Sequence, residues 1–343
     1  MKTETSSIDD DKVWDEMVLK WQAPAHFMQS SVWKNTKSQS QWKASRLLVD
    51  DKSWQLPVQV FSRIVPGFGR VHYAPELGGV NADNISEVTE QLKAKYKRGG
   101  AIKVELYEEY SEDLIKAFEA AGWRRANSVQ YRHSVAVDLL GTEEHAFARF
   151  KGRVRNEIRM AQKSGVKVEK VEVNKENLDH LHRLMNVTSA RSGAFFRSRE
   201  YLDNYWHAFT NAGQGSLYFI RHEGDLLAAA YIIKYGKHAW YKDGGSVREK
   251  SELKAPRLLL WEAMCDLMKE GIEVLDLSGI PEEHELATSH MKGLYTFKTG
   301  FAKSTKKFMP AMELPIGKLY PAWPKAERHW LRLYSYLKKD FWY

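Results

Sequence analysis

What most constrains this chain is the order in which two periodicities alternate along it. Apolar, β-type runs at 45–49, 56–64 and 71–74 precede a helix-patterned segment at 84–97, a run at 101–107, a helix at 112–121 and a run at 130–139. The second half repeats that logic, with a run at 166–173, helices at 176–190 and 198–209, runs at 216–221, 226–235 and 238–242, a helix at 256–270 and a run at 272–277. The architecture is duplicated and the sequence is not. Such interleaving predicts an α/β (α+β) chain with mixed sheets flanked by helices. At 343 residues the chain exceeds what one core usually serves. Two domains are therefore expected, 1–148 and 149–316, with the aromatic tail 317–343 docking back on the first.

The charge balance decides little. Lys and Arg number 52 against 44 Asp and Glu, a net charge of +8, which suits a polyanionic partner such as tRNA and equally suits plain solubility. The exclusions are sharper. A single cysteine, Cys265, rules out an internal disulfide framework and a cysteine-rich zinc site. His180 and His182 stand two apart, on different helix faces, and His284-Glu285 lacks the second histidine of a zinc-protease helix because Thr288 takes its place. There is no Gly-Lys-Ser/Thr phosphate loop. An acetyl-CoA-dependent acetyltransferase would carry its glycine turn for pyrophosphate just before the helix at Pro256, yet 247–254 contains no glycine. No metal and no cofactor are expected. The first residues lack an apolar signal core and no stretch reaches ~18 uninterrupted apolar residues, so the expected location is cytoplasmic.

Two segments carry candidate chemistry. Within 143–164, Phe147, Phe150, Val154, Ile158 and Ala161 mark one buried helical stripe, while Arg149, Lys151, Arg153, Arg155, Arg159 and Lys163 cover the other faces. Such a face is either solvated or set against phosphates, and spacing leaves both open. Further on, Lys298 lies among Tyr295, Phe297 and Phe301, just after the run 274–277. It reads either as a lysine snorkelling from a strand edge or as an ammonium kept charged by ring faces for an anionic visitor. Near the N-terminus, Trp33 and Lys37 share a helix face after a helix-start serine in Gln29-Ser30-Ser31, the pattern of a packed tryptophan beside a solvated lysine. The tail carries Trp323, Trp330, Tyr334, Leu337, Phe341 and Trp342, a composition for docking on the first domain or for lying at a bilayer interface.

Six blocks, in order, resemble the FemABX aminoacyltransferases that build peptidoglycan interpeptide bridges. They are 29–42, 120–139 with Gly122-Trp123, Arg155-Asn156-Glu157-Ile158-Arg159 continuing to Lys163, Trp240-Tyr241-Lys242-Asp243-Gly244-Gly245-Ser246, 275–279 and 293–300. The resemblance implies two tandem acetyltransferase-like (GNAT) domains. Because the chain between Ser246 and Pro256 leaves no room for a coiled-coil arm, it also implies the compact subtype. Implied too is a monomer that takes an aminoacyl group from aminoacyl-tRNA and attaches it to the third-residue side-chain amine of a peptidoglycan precursor. That acceptor is UDP-MurNAc-pentapeptide or lipid II, with peripheral contact at the inner face of the membrane as part of the expectation. Residue by residue, Lys37 and Arg197 match positions that hold the acceptor's phosphates, Tyr201 and Tyr241 match the aromatic lining of its cleft, and Asp243 stands where a compact relative has tyrosine. Glu105 stands where the family often has an aspartate near the acceptor amine. Phe297 and Lys298 match the donor-side aromatic and lysine.

The implied reaction is aminolysis of an ester. Positioning supplies much of the rate for such an activated carbonyl, and a cation near the developing oxyanion supplies more. Lys298 is the candidate for that cation or for a clamp on the tRNA acceptor-end phosphates, and Glu105 for orienting the amine or taking its proton. Arg153, Arg155, Arg159 and Lys163 form the candidate tRNA-facing surface. The transferred residue is expected to be small, Gly, Ala or Ser. Two alternatives use the same residues: the same chemistry on a small peptide antibiotic, and a non-catalytic protein that binds tRNA or a cell-wall precursor. Retention of Lys37, Arg197, Phe297 and Lys298 favours a catalyst.

Overall fold

Strands form where the alternating runs fall, and they pair into two separate sheets. The structure is a computed structural model that describes residues 8–97, 99–192, 196–286, 291–318, 320–338 and 341–343; the polar lead before residue 8 and Thr288 lie outside these. The chain divides into two units, Met1–Arg132 with Lys307–Tyr343, and His133–Lys306. Both are mixed α/β units of sheet and helix.

In the first unit, strands β1 (Lys43–Asp51), β2 (Trp54–Val65), β3 (Gly69–Leu77), β4 (Ala101–Leu106) and β5 (Arg124–Arg125) are joined by β13 (Met312–Pro315) in the order β1-β2-β3-β4-β13-β5. Helix α1 (Asp11–Trp21) and helix α2 (Ser31–Ser38), capped by Ser30 as its sequence signals, come before the sheet. β3 and β4 pair in parallel, so a crossover is required, and α3 (Ile85–Lys95) provides it. α3 and α4 (Glu112–Ala120) bury Val88, Leu92, Ile115 and Phe118 against Val58, Val60, Ile102 and Val104. On β4 those apolar residues alternate with Lys103 and Glu105, so the opposite face of the strand is polar and yet buried.

The C-terminal segment buries that polar face. Lys103 is fully buried, with its ammonium 3.1 Å from Glu313 Oε1 and 3.1 Å from the Asn127 carbonyl, and it is also paired with Glu327 on α11 (Trp323–Lys338). The Tyr343 hydroxyl donates to Glu327 Oε1 at 2.6 Å. The Trp342 carbonyl accepts from Trp42 Nε1 at 3.0 Å and from Arg63 at 2.9 Å.

In the second unit the strands are β6 (His133–Asp138), β7 (Lys167–Val171), β8 (Gly215–His222), β9 (Asp225–Tyr235), β10 (His238–Ser246), β11 (Val274–Gly279) and the edge pair β12 (Lys306–Lys307), ordered β12-β6-β11-β10-β9-β8-β7. Glu223 and Gly224 both have positive φ, the geometry that turns β8 tightly into β9. β10 and β11 are parallel, and the crossover is α9 (Ala255–Lys269), with Pro256 in its first turn. Ten of the fifteen residues of α9 are buried, including Cys265, so most of its circumference is covered. Between β10 and α9 lies only a short turn at Ser251–Leu253, so the described chain has no helical arm there.

One sequence expectation is corrected here. The basic segment 143–164 is two helices, α5 (Glu143–Arg149) and α6 (Gly152–Lys163). Phe150 turns extended, its ring packing against Trp261 and Phe301, and the Lys151 amide donates to the Gly300 carbonyl at 3.0 Å instead of continuing the helix. Burial of one aromatic and one tertiary hydrogen bond outweigh helical continuity. The remaining helices of this unit are α7 (Lys175–Ser192), α8 (Arg199–Asn211) and α10 (Lys292–Lys298).

Candidate active site

The second unit has a fork in its sheet. β10 and β11 pair only from His238–Trp240 against Val274–Asp276, and past those residues the two strands part. Ser278 closes the fork from one side: its hydroxyl donates to the Tyr241 carbonyl at 2.9 Å and its amide donates to Asp276 Oδ1 at 2.7 Å. To do so it adopts φ +61°, a left-handed conformation that costs a non-glycine residue about 1 kcal/mol or more. The next carbonyl, that of Gly279, is thereby turned to receive the Lys298 ammonium at 2.8 Å. Asp276, 3 % exposed, is also held by the Ser134 hydroxyl at 3.1 Å.

Lys298 comes from α10, and the expectation of a strand-edge lysine is corrected twice. Its segment is a helix, and its side chain is 6 % exposed. The residue stands in the last helical turn, where a cation is favoured by the exposed carbonyl ends. Burial pushes its amine down to about 8; nearby Asp276 pulls it up and Lys242 pushes it further down. The aromatic neighbours serve the backbone rather than the ammonium. Phe297 lies 4.4 Å under the Arg257 guanidinium, which also bonds the Phe297 carbonyl, and Phe301 packs beside Phe297. Arg257, itself buried, is fixed by Glu157 of α6 at 2.9 Å. Burial would raise the Glu157 carboxyl, but Arg153 and Arg257 hold it below its usual range. Glu157 and Arg257 thus tether the end of α10 that carries Lys298.

Five residues of the Trp240–Ser246 block matter. The Tyr241 hydroxyl is pushed up to about 12 by burial. Its ring lies over Gly244, where an added Cβ would come within 2.1 Å of the hydroxyl oxygen, and Gly245 approaches the Leu184 carbonyl of α7 so closely that a Cβ would stand 2.3 Å from it. Both glycines are required by contact. Asp243 accepts from Trp206 Nε1 at 3.0 Å, and burial pushes its carboxyl up to about 7. Lys242, between them, was not singled out by spacing. Burial and the neighbouring Arg197 guanidinium push its amine down to about 8, so the fork holds two lysines that part with their protons easily. Arg197 stacks on Tyr201 at 4.5 Å in the first turn of α8. Arg197, Tyr201, Tyr241, Lys242, Asp243, Phe297 and Lys298 therefore all belong to one unit.

On α6, Arg155, Arg159 and Lys163 follow one another at intervals of four and form a single outward stripe. Arg153 departs from it, exposed but ion-paired to Glu157 at 3.0 Å.

Lys37 and Glu105 belong to the first unit. Lys37 is 4 % exposed and lies 5.6 Å from the Trp42 ring, not on a solvated face beside Trp33 as its spacing suggested. The Glu105 carboxyl accepts from the Val129 amide at 2.7 Å, the Gln130 amide at 3.0 Å and the Tyr73 hydroxyl, and burial raises it above its usual range despite these donors. It braces the 128–130 segment. Among the described residues no cluster of three His, Cys, Asp or Glu side chains is arranged to hold a metal.

Comparison with known proteins bears on the fold and on the kind of relative this chain has. A family model described as an acetyltransferase (GNAT) domain matches residues 148–286. A lipid II:glycine glycyltransferase of Staphylococcus epidermidis is 26% identical over 213 residues, 57% of this chain and 51% of the relative. A UDP-N-acetylmuramoylpentapeptide-lysine N(6)-alanyltransferase of Weissella viridescens is 23% identical over 232 residues, 64% of this chain and 67% of the relative. The chain spans about half the length of the first of these curated relatives. The crystal structure of FemX superposes with a TM-score of 0.81 at 18% identity, covering 93% of this chain and 98% of that one. The chain is thus similar to FemABX proteins in sequence and in fold, and its GNAT-domain match lies within the second unit.

Proposed function

We propose that this protein is an aminoacyltransferase that moves a small amino acid from aminoacyl-tRNA to the third-residue side-chain amine of a peptidoglycan precursor. One observation carries the reading: a buried lysine, Lys298, whose ammonium is fixed at the open end of a strand fork and only partly compensated by Asp276. A cation so placed is poised to receive negative charge. Related proteins are named as a glycyltransferase on lipid II and an alanyltransferase on UDP-N-acetylmuramoylpentapeptide lysine. In this reading the acceptor amine attacks the ester carbonyl, and the C–N bond forms as charge gathers on the carbonyl oxygen beside Lys298. The ester C–O bond then breaks, and the ribose oxygen leaves with the proton that the amine gives up. Lys242, deprotonated in part at neutral pH and above, assists that proton's departure. Glu105 acts through Tyr73 as a positioning group, and Lys37 keeps the phosphate-binding part that the family resemblance gives it. A labelled amino acid should pass from charged tRNA to UDP-MurNAc-pentapeptide and should cease to do so once the tRNA is digested with ribonuclease; transfer that survives digestion would rule out the donor.

Arg197 and the two tyrosines beside it are assigned to the acceptor. Arg197→Ala removes a guanidinium able to grip phosphate oxygens through paired hydrogen bonds. The acceptor KM should rise about tenfold or more while the donor KM holds, and an unchanged acceptor dissociation constant would remove Arg197 from the site. The Arg155–Arg159–Lys163 stripe is assigned to tRNA. Arg155→Glu with Arg159→Glu should raise the donor KM and reduce the log–log salt slope of tRNA binding by about two. A slope unchanged in that variant would leave the stripe a solvated face.

A further inference from the structure

α11 has two apolar strips, and the first unit uses only one. At 100° per residue, Trp323, Glu327 and Tyr334 point inward: Trp323 and Glu327 are buried, and Tyr334 stacks on Arg63 at 4.8 Å. The outward arc runs through Leu337, Leu333, His329, Tyr336, Lys325, Arg332 and Arg328, all exposed. Leu333 is 50 % exposed, Leu337 65 % and Tyr336 82 %, and Phe341 just beyond the helix is 43 % exposed. A helix docked on a globular unit ordinarily turns a polar face to water. Here the outer face is apolar on one flank and cationic on the other, and Lys325, Arg328 and Arg332 form no ion pair with any described residue. The one acid among the described residues of the helix, Glu327, is turned inward to Lys103.

We infer that the outer face of α11 docks on an anionic lipid bilayer. Exposed leucine and tyrosine side chains enter the headgroup–acyl boundary while the neighbouring arginines and lysines meet lipid phosphates, the arrangement of an interfacial helix. The aromatic hydroxyl of Tyr336 suits the depth at which one end of a side chain is wet. No helix of the described chain is long and apolar enough to cross a membrane, so this contact lies on the surface and can be released by salt. It stands apart from the proposed chemistry, since it requires neither Lys298 nor any acceptor-binding residue.

The test uses the full chain with vesicles of phosphatidylglycerol and phosphatidylcholine in equal parts, and with vesicles of phosphatidylcholine alone. Sedimentation should carry the protein down with the anionic vesicles at low salt and much less with the neutral ones. Lys325→Gln, Arg328→Gln and Arg332→Gln together should weaken partition roughly a hundredfold, about a factor of five for each charge. Leu333→Ser with Leu337→Ser and Tyr336→Ser should abolish it with the fold retained by circular dichroism, because these side chains are half or more exposed. Failure of the parent to sediment with anionic vesicles would overturn the inference. So would equal binding of the parent and both variants. Loss of tRNA binding by the charge variant, with vesicle binding intact, would overturn it in favour of a nucleic-acid surface.

Discussion

Lys298→Met is expected to lower kcat by roughly 10²–10³, the loss seen when a single oxyanion-stabilising group is removed. Methionine keeps the length and apolar stem of the side chain and deletes only the cation. The fold should survive, because the parent carries the cost of a buried charge. A lysine whose amine is depressed to about 8 binds its proton less tightly folded than unfolded. The charge is therefore a burden on stability at neutral pH, one that disappears as pH rises from about 8 towards the ordinary lysine range, and the methionine variant lacks it at any pH. Activity has the opposite sign. Transfer that needs the ammonium should fall as pH rises through about 8, and Lys298→Arg, which stays charged, should show no such fall in whatever activity it keeps. If the lysine instead clamps tRNA phosphates, donor KM rises and single-turnover chemistry at saturating donor recovers. A methionine variant with parental kcat would remove Lys298 from the chemistry.

Lys103→Met is expected to have the largest effect on stability. The substitution leaves Glu313 and Glu327, both buried, facing each other without the ammonium that separates them. Removing one partner of a buried ionic cluster typically costs about 3–5 kcal/mol, here a fall in the melting temperature of roughly 10 °C. Burial already holds the Glu313 carboxyl above its usual range in the parent, and without Lys103 that carboxyl binds its proton still more tightly folded than unfolded. Stability lost in this way is present below the ordinary carboxylate range and disappears as pH rises through the raised values. The deficit should accordingly be smaller at pH 5 than at pH 8. Thermal melts at the two pH values check this, and a deficit independent of pH would mean that Lys103 contributes packing and not charge.

The strand and helix order was legible because apolar residues in this fold recur with period 2 and period 3.6, as in Ile102, Val104 and Leu106 on β4 or Leu114, Ile115 and Phe118 on α4. What was hidden depends on distant contacts. The break at Phe150 is set by Trp261 and Phe301, more than a hundred residues away. Lys298 looked like a strand residue because its aromatic neighbours alternate with polar ones; the hydrogen bonds that make it helical, and the Gly279 carbonyl that receives its ammonium, leave no local trace. Lys103 and Glu327 carry no signal either, since a buried ion pair 224 residues apart in the chain reads as two solvated charges. Lys242 could have been noticed, because it lies inside the Trp240–Ser246 block that carried the family resemblance. Glu157 could have been noticed in the same way, from the block that runs from Arg155 to Lys163, whereas Arg257 looks like one of many charges on a helix.

The central claim, transfer of an amino acid from tRNA to a peptide amine, is tested most directly by the mass of the product. The protein should be incubated with UDP-MurNAc-pentapeptide and, one at a time, glycyl-, alanyl- and seryl-tRNA, with acetyl-CoA in a parallel reaction. The expected result is a gain of one aminoacyl residue with one of the charged tRNAs, placed by fragmentation on the side-chain amine of the third stem residue, and no gain with acetyl-CoA. An acetylated product, with the peptide unchanged by every charged tRNA, would contradict it.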